Sequence, residues 1–269
     1  MTADNQATTA AASADVTEPV LLTQRHGRVL VVTMNRPRQR NALNAALRRA
    51  LRETFDAFEQ DDELRCAVLA GNGPSFCAGG DLKEMAATQL QAPGEDWMKM
   101  VGSNGSPAKP VVAAVQGHAY GGGFLLAQAC DLCVCDSTAL FGIAEVKRGR
   151  GAPWAAPLAS MLPKRIMTEL LLTGEPLNAT RAYELGLANR LVPEGEAITA
   201  AVELAALIAG NAPLSVAAAK QLVQFSAEVG QSSALVAAGW LYERVYASND
   251  ALEGPRAFRE RRDPTWTGT

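Results

Sequence analysis

Two glycine clusters are the parts of this chain best suited to hold negative charge. The run G-H-A-Y-G-G-G-F-L-L-A-Q-A-C at 117–130 sets three consecutive glycines ahead of good helix formers. Such a sequence turns sharply and opens a helix whose first N–H groups lack intrahelical partners, an end that attracts anions. The second cluster, F-C-A-G-G-D-L-K-E-M at 76–85, pairs two glycines with Asp81 at an N-cap position. Two readings are open for these loops: anion binding through backbone N–H groups, or tight packing alone. A dinucleotide-binding loop fits less well, because G-x-G-x-x-G is absent and no ribose-binding acid stands at the expected distance. The segment C-D-L-C-V-C at 130–135 has the C-x-x-C spacing of a metal site, yet His26 and His118 are the only histidines and no second pair completes four ligands. Buried strand thiols are the expectation there.

The elements that must position these loops follow from the hydrophobic pattern. V-L-V-V-T-M (29–34), C-A-V-L-A-G (66–71) and V-V-A-A-V (111–115) read as buried strands, the first stopped by Pro37. Between Leu43 and Glu59, apolar residues recur at three-and-four spacing through Leu47, Leu51, Phe55 and Phe58, which predicts an amphipathic helix. Beyond about residue 160 the texture turns helical, with breaks near Gly174, Gly195 and Pro213. The expected organisation is an α/β fold with a disordered tail at 1–19, a β/α core at 20–200 and a helical region at 201–269. The tail lacks the apolar core of a secretory signal and the arginines of a transit peptide.

Composition narrows the function classes. With 269 residues and 48% hydrophobic content, the chain can bury a core without disulfide or metal staples. The 25 Lys and Arg against 28 Asp and Glu show none of the single-sign excess of nucleic-acid binders. No apolar run reaches membrane-spanning length. Neither nucleic acid nor membrane is therefore an expected partner. Five cysteines, an odd number, fit a reducing compartment, and a cytoplasmic location is expected.

The order and spacing of N-R-P…N-A-L (35–43), F-C-A-G-G-D-L-K-E-M, G-H-A-Y-G-G-G, L-L-L-T-G-E-P-L-N-A (170–179), A-Y-E-L-G-L-A-N-R-L-V-P (182–193) and the terminal E-G-P-R-A-F-R-E-R-R resemble the crotonase, or enoyl-CoA hydratase/isomerase, superfamily. The resemblance spans nearly everything after the tail. It implies a crotonase-type β-β-α superhelical core with a C-terminal helical trimerisation region, assembled as homotrimers or dimers of trimers. It implies an acyl-CoA thioester substrate and no separate cofactor, since coenzyme A is part of the substrate. By motif position, the Gly80 and Gly122 N–H groups would hold the thioester enolate oxygen, a role in which each donor contributes about 2.7–4 kcal/mol elsewhere. Lys83, Phe258 and Arg261 fall where family members contact coenzyme A, and the last two can serve a neighbouring subunit's site.

The chain departs from the family's hydratases, which carry two glutamates. The first position here is Leu125; the second is Glu145. Two carboxylates share the general acid/base work of hydration in those enzymes. Pro153 stands where they hold the water with a glycine N–H, and proline has none to give. A leucine, a lone glutamate and A-P-W together resemble the single-glutamate 3-enoyl to 2-enoyl-CoA isomerases. The expected reaction is therefore isomerisation to the trans-2-enoyl thioester, with Glu145 taking a proton from C2 and returning it at C4. Leu125, Pro153 and Trp154 are expected in the substrate pocket, where apolar surroundings would raise the Glu145 pKa. Pairing with Arg148 or Arg150 would lower it instead. The alternatives are hydration, decarboxylation or thioester hydrolysis on the same oxyanion hole, and, in a different class, a non-catalytic acyl-CoA binder.

Overall fold

A computed structural model describes residues 18–89, 92, 94, 97, 100–101 and 107–269. Most of the expected tail, residues 1–17, lies outside the described residues. The three continuous apolar runs become β2 (Val29–Met34), β3 (Cys66–Gly71) and β4 (Val111–Val115), with the bounds expected. They are central strands of a six-stranded sheet completed by β1 (Leu21–His26), β6 (Leu132–Asp136) and β9 (Arg190–Val192), in the order β1-β2-β3-β4-β6-β9. Only β1 runs antiparallel to its neighbour. Parallel strands covered on both faces need apolar residues at every position, which is why β3 is buried along its whole length.

Helices supply the two covers. On one face Leu30, Val32 and Met34 meet Leu47, Leu51, Phe55 and Phe58 of α1 (Ala45–Gln60). On the other, Val29, Val31, Val68, Ala114 and Val134 meet Ala197, Ala201, Ala205 and Ala209 of α7 (Ala197–Ala209). Alanines four residues apart form one helical stripe that lets α7 approach the sheet closely. This helix straddles residue 200.

A second, three-stranded sheet of β5 (His118–Tyr120), β7 (Leu140–Gly142) and β8 (Leu177–Asn178) stands beside the glycine triplet. The short helices α2 (Leu82–Ala87) and α3 (Gly122–Ala129) follow the two glycine clusters. Asp81 caps α2 as expected, accepting the Lys83 and Glu84 N–H groups. Helices α4 (Leu158–Met161), α5 (Lys164–Thr173) and α6 (Ala179–Glu184) lead to β9, so a strand interrupts the helical texture beyond residue 160 and extends the main sheet. The chain closes with α8 (Pro213–Glu228), α9 (Gln231–Tyr246) and α10 (Asn249–Glu260). All five cysteines are buried free thiols; Cys66, Cys133 and Cys135 lie on strands, while Cys77 and Cys130 lie in the segments beside α2 and α3. Among the described residues, no single helix is long and apolar enough to cross a membrane.

Candidate active site

The site is built on a clamp between two loops. Arg40 and Asn41 take left-handed φ values of 49° and 55°, turning the N-R-P…N-A-L segment back on itself. The Asn41 side chain is fully buried, and its Nδ2 donates to the carbonyls of Asn72, Ser75 and Phe76 at 3.0, 2.8 and 3.1 Å. Its Oδ1 accepts the Arg36 N–H at 2.9 Å, and Arg36 reaches Asp81 at 3.0 Å. The clamp ends in a parallel bridge: Leu43 N–H donates to Gly79 O at 2.8 Å, and Asp81 N–H donates to Leu43 O at 3.2 Å. In that pattern the flanking residues do the bonding, so the Gly80 N–H is left over.

The glycine triplet supplies the second donor. Gly121 has φ +52°, and its carbonyl accepts the first helical bond from Leu125 N–H at 2.9 Å. Gly122 therefore opens α3 with an N–H that has no intrahelical partner. Among the described residues, neither the Gly80 nor the Gly122 N–H meets an acceptor. The two are neighbours, since a Cβ on Gly122 would stand 3.7 Å from the Gly80 nitrogen.

Glu145 begins a short 3₁₀ turn, Glu145–Arg148, and lies against Gly121, where a Cβ would stand 3.1 Å from its Oε1. The Trp154 indole N–H donates to the same oxygen at 3.2 Å. Oε2 is buried with no hydrogen-bond partner among the described residues. Burial pushes the Glu145 pKa up, while its own backbone N–H, the Trp154 indole and the charge of Arg150 pull the other way. The net direction is upward, as expected from the apolar surroundings, and of the two arginines it is Arg150 whose charge is felt.

Gly80, Gly122, Leu125, Glu145, Pro153 and Trp154 all line one cavity of about 440 Å³. Lys83, Phe258 and Arg261 do not join them: all three lie on the surface, Lys83 on α2 and the others at the end of α10, where Phe258 is 86% exposed. Met85, Trp97 and Tyr120 also line the cavity without having been singled out for it. Nothing periodic marks Met85 or Trp97. The anchoring role of Asn41 was signalled only by its place in the N-R-P…N-A-L motif.

Two adjacent backbone donors facing a cavity that holds a half-buried carboxylate define a class of protein, the enzymes that stabilise charge developing on a carbonyl beside a base. The chain belongs to the enoyl-CoA hydratase/isomerase family, whose model matches residues 24–269. It is a crotonase-family acyl-CoA enzyme. An enoyl-CoA hydratase, EchA19 of Mycobacterium tuberculosis, is 38% identical over 92% of this chain and 96% of its own. The carnitinyl-CoA dehydratase of Proteus mirabilis is 40% identical over 90% of this chain and 96% of its own. The crystal structure of an enoyl-CoA hydratase from Mycobacterium tuberculosis H37Rv superposes with a TM-score of 0.87 at 42% identity, covering 94% of this chain and all of that one. These names give the expected isomerase no support and favour its hydratase alternative.

Proposed function

We propose that the chain adds water to, or eliminates it from, an acyl-CoA thioester, with Glu145 as the base and the Gly80 and Gly122 N–H groups holding the enolate oxygen. The observation that carries this is the meeting of Glu145 and both unpaired donors in one cavity. The names of relatives matching nine-tenths of the chain favour water addition and elimination. A single carboxylate balances that reaction. Glu145 takes a proton from water as its oxygen bonds to C3, the enolate charge rests on the thioester oxygen, and Glu145 returns the proton to C2. Elimination reverses each step. The loss of the second carboxylate to Leu125 therefore does not by itself exclude hydration.

A second reading is the double-bond shift, favoured by Leu125 and Pro153, which remove a carboxylate and an N–H that would hold water. It uses the same base and donors, with the proton returned at C4. In either case we propose that coenzyme A is held by Lys83 and by Phe258 and Arg261 of a neighbouring subunit in a homotrimer or dimer of trimers. The buried free thiols suit a cytoplasmic location.

Supplying trans-2-enoyl-CoA and 3-enoyl-CoA separately distinguishes the two. Loss of the conjugated thioester with formation of 3-hydroxyacyl-CoA is the expected result; formation of conjugated thioester from the 3-enoyl substrate alone would establish the second reading. Glu145→Gln is expected to lower either rate by about 10²–10⁴-fold, the usual contribution of a general base. Full turnover by that variant would remove Glu145 from the mechanism.

A further inference from the structure

A base that must both take and return a proton works best with one oxygen anchored and the other free. The structure places Glu145 in that state, with Oε1 accepting the Trp154 indole at 3.2 Å and Oε2 buried without a partner among the described residues. The indole is itself held. Trp154 is 7% exposed, its ring meets Phe124 edge-on with centroids 6.2 Å apart, and its carbonyl accepts the Gln128 side-chain N–H at 2.6 Å. Phe124 and Gln128 belong to α3, the helix that Gly122 opens. One helix thus places both an oxyanion donor and, through Trp154, the base. Pro153 starts the tight turn Pro153–Ala155 that carries the indole, so the residue lacking an N–H of its own precedes one that supplies an N–H to the carboxylate.

We propose that Trp154 is a positioning residue that acts through Glu145, its indole N–H holding Oε1 so that Oε2 is the oxygen that exchanges the proton. The proposal rests on the reading of Glu145 as the base. Among the described residues, the other charged or titratable groups on this cavity are Arg148, Arg150 and Tyr120, and none of them changes in the variant used to test it.

The test follows exchange of the C2 hydrogen of butanoyl-CoA in deuterated buffer as a function of pH, a readout of proton removal common to both reactions. Trp154→Phe keeps the ring and drops the N–H, which stabilises the charged carboxylate. On the acid limb its rate is expected to fall about tenfold, the scale of one hydrogen bond to a charged group, and to recover toward wild type on the plateau at higher pH. In a Glu145→Gln background the same substitution is expected to change nothing. A loss by the same factor at every pH, or an undiminished effect in the Glu145→Gln background, would overturn the proposal. The wild-type protein labelled with ¹⁵N-tryptophan gives a measurement independent of that variant: one indole resonance should titrate with the acid limb and cease to do so in Glu145→Gln, and no such resonance would again overturn it. Exchange at the wild-type rate in Glu145→Gln would remove the functional reading itself, whereas a Glu145→Gln protein slowed by about 10²–10⁴-fold together with an unmoved limb in Trp154→Phe would remove only the role of the indole.

Discussion

Glu145 holds its position against the physics of folding. Its Oε2 has no partner among the described residues, and burial raises its pKa over the opposing pull of Trp154 and Arg150. A carboxylate whose pKa is higher in the folded than in the unfolded chain binds its proton more tightly when folded. Its contribution is therefore most favourable below the unfolded pKa and is lost as pH rises through the folded one. Glu145→Gln removes the titration. The variant is expected to melt at a higher temperature than wild type at pH 8, with the gap closing as pH is lowered toward 4, while catalysis is lost. Paired melting curves across that range check it, and a variant less stable than wild type at pH 8 would contradict the view that function is held here at a cost in stability. Gly121 explains why the carboxylate can sit so close to the donor pair. Its left-handed φ and the 3.1 Å between the position of a Cβ and Oε1 leave no room for a side chain without displacing the acid.

At the scale of elements, the donor Gly80 is set by a loop that has no regular structure of its own. Asn41 ties four backbone groups of two loops together from a fully buried position. Asn41→Ala would leave those groups unpaired in the core, an expected loss of about 3 kcal/mol given the usual cost of each buried unsatisfied group. The same change should lower kcat more than it raises KM, because it displaces a donor used as charge develops on the oxygen. Urea denaturation and steady-state kinetics on one preparation check both parts. The elements legible in the sequence were those whose burial is uniform. β2, β3 and β4 are apolar at nearly every position because helices or sheet neighbours cover both faces, and α1 starts two residues later than expected, where the Asn44 side chain accepts Leu47 N–H and holds the first turn back to Ala45, and runs one residue further, to Gln60. β1 escaped notice because it is an exposed edge with T-Q-R-H in its second half, and β9 because it is three half-buried residues among helices. In the site, Gly80, Gly122 and Glu145 were legible through motif spacing, whereas Trp97 and Met85 reach the cavity by tertiary packing that leaves no periodic mark.

At the scale of the whole molecule, the C-terminal helices carry apolar surface that nothing among the described residues covers. Leu235, Trp240 and Tyr246 of α9 are 68%, 73% and 78% exposed, and Val223 of α8 is 72% exposed. The last helix and the segment after it are tied down. Glu253 on α10 accepts Arg262 at 2.6 Å and Thr265 N–H at 2.9 Å, and the final segment is tied to the core by Arg65 donating to Trp266 O at 2.7 Å and the Trp266 indole donating to Gly210 O at 2.9 Å. Several large apolar side chains exposed on neighbouring helices mark a candidate surface for association. If copies of the chain meet there, Phe258 and Arg261 have a physical reason to lie far from their own cavity, since α10 could present them to a neighbour. Trp240→Glu places a charge in such an interface and, if the proposed trimer or dimer of trimers forms there, is expected to shift sedimentation to a smaller species, with KM for the acyl-CoA rising as the proposed intersubunit coenzyme contacts are lost. Phe258→Ala, which leaves the charge pattern intact, should raise KM several-fold with kcat nearly unchanged if Phe258 has the proposed coenzyme-binding role and that binding is uniform between ground and transition states. A Trp240→Glu protein that sediments as wild type does, or a Phe258→Ala protein with unaltered KM, would separate those surface residues from assembly and from substrate respectively.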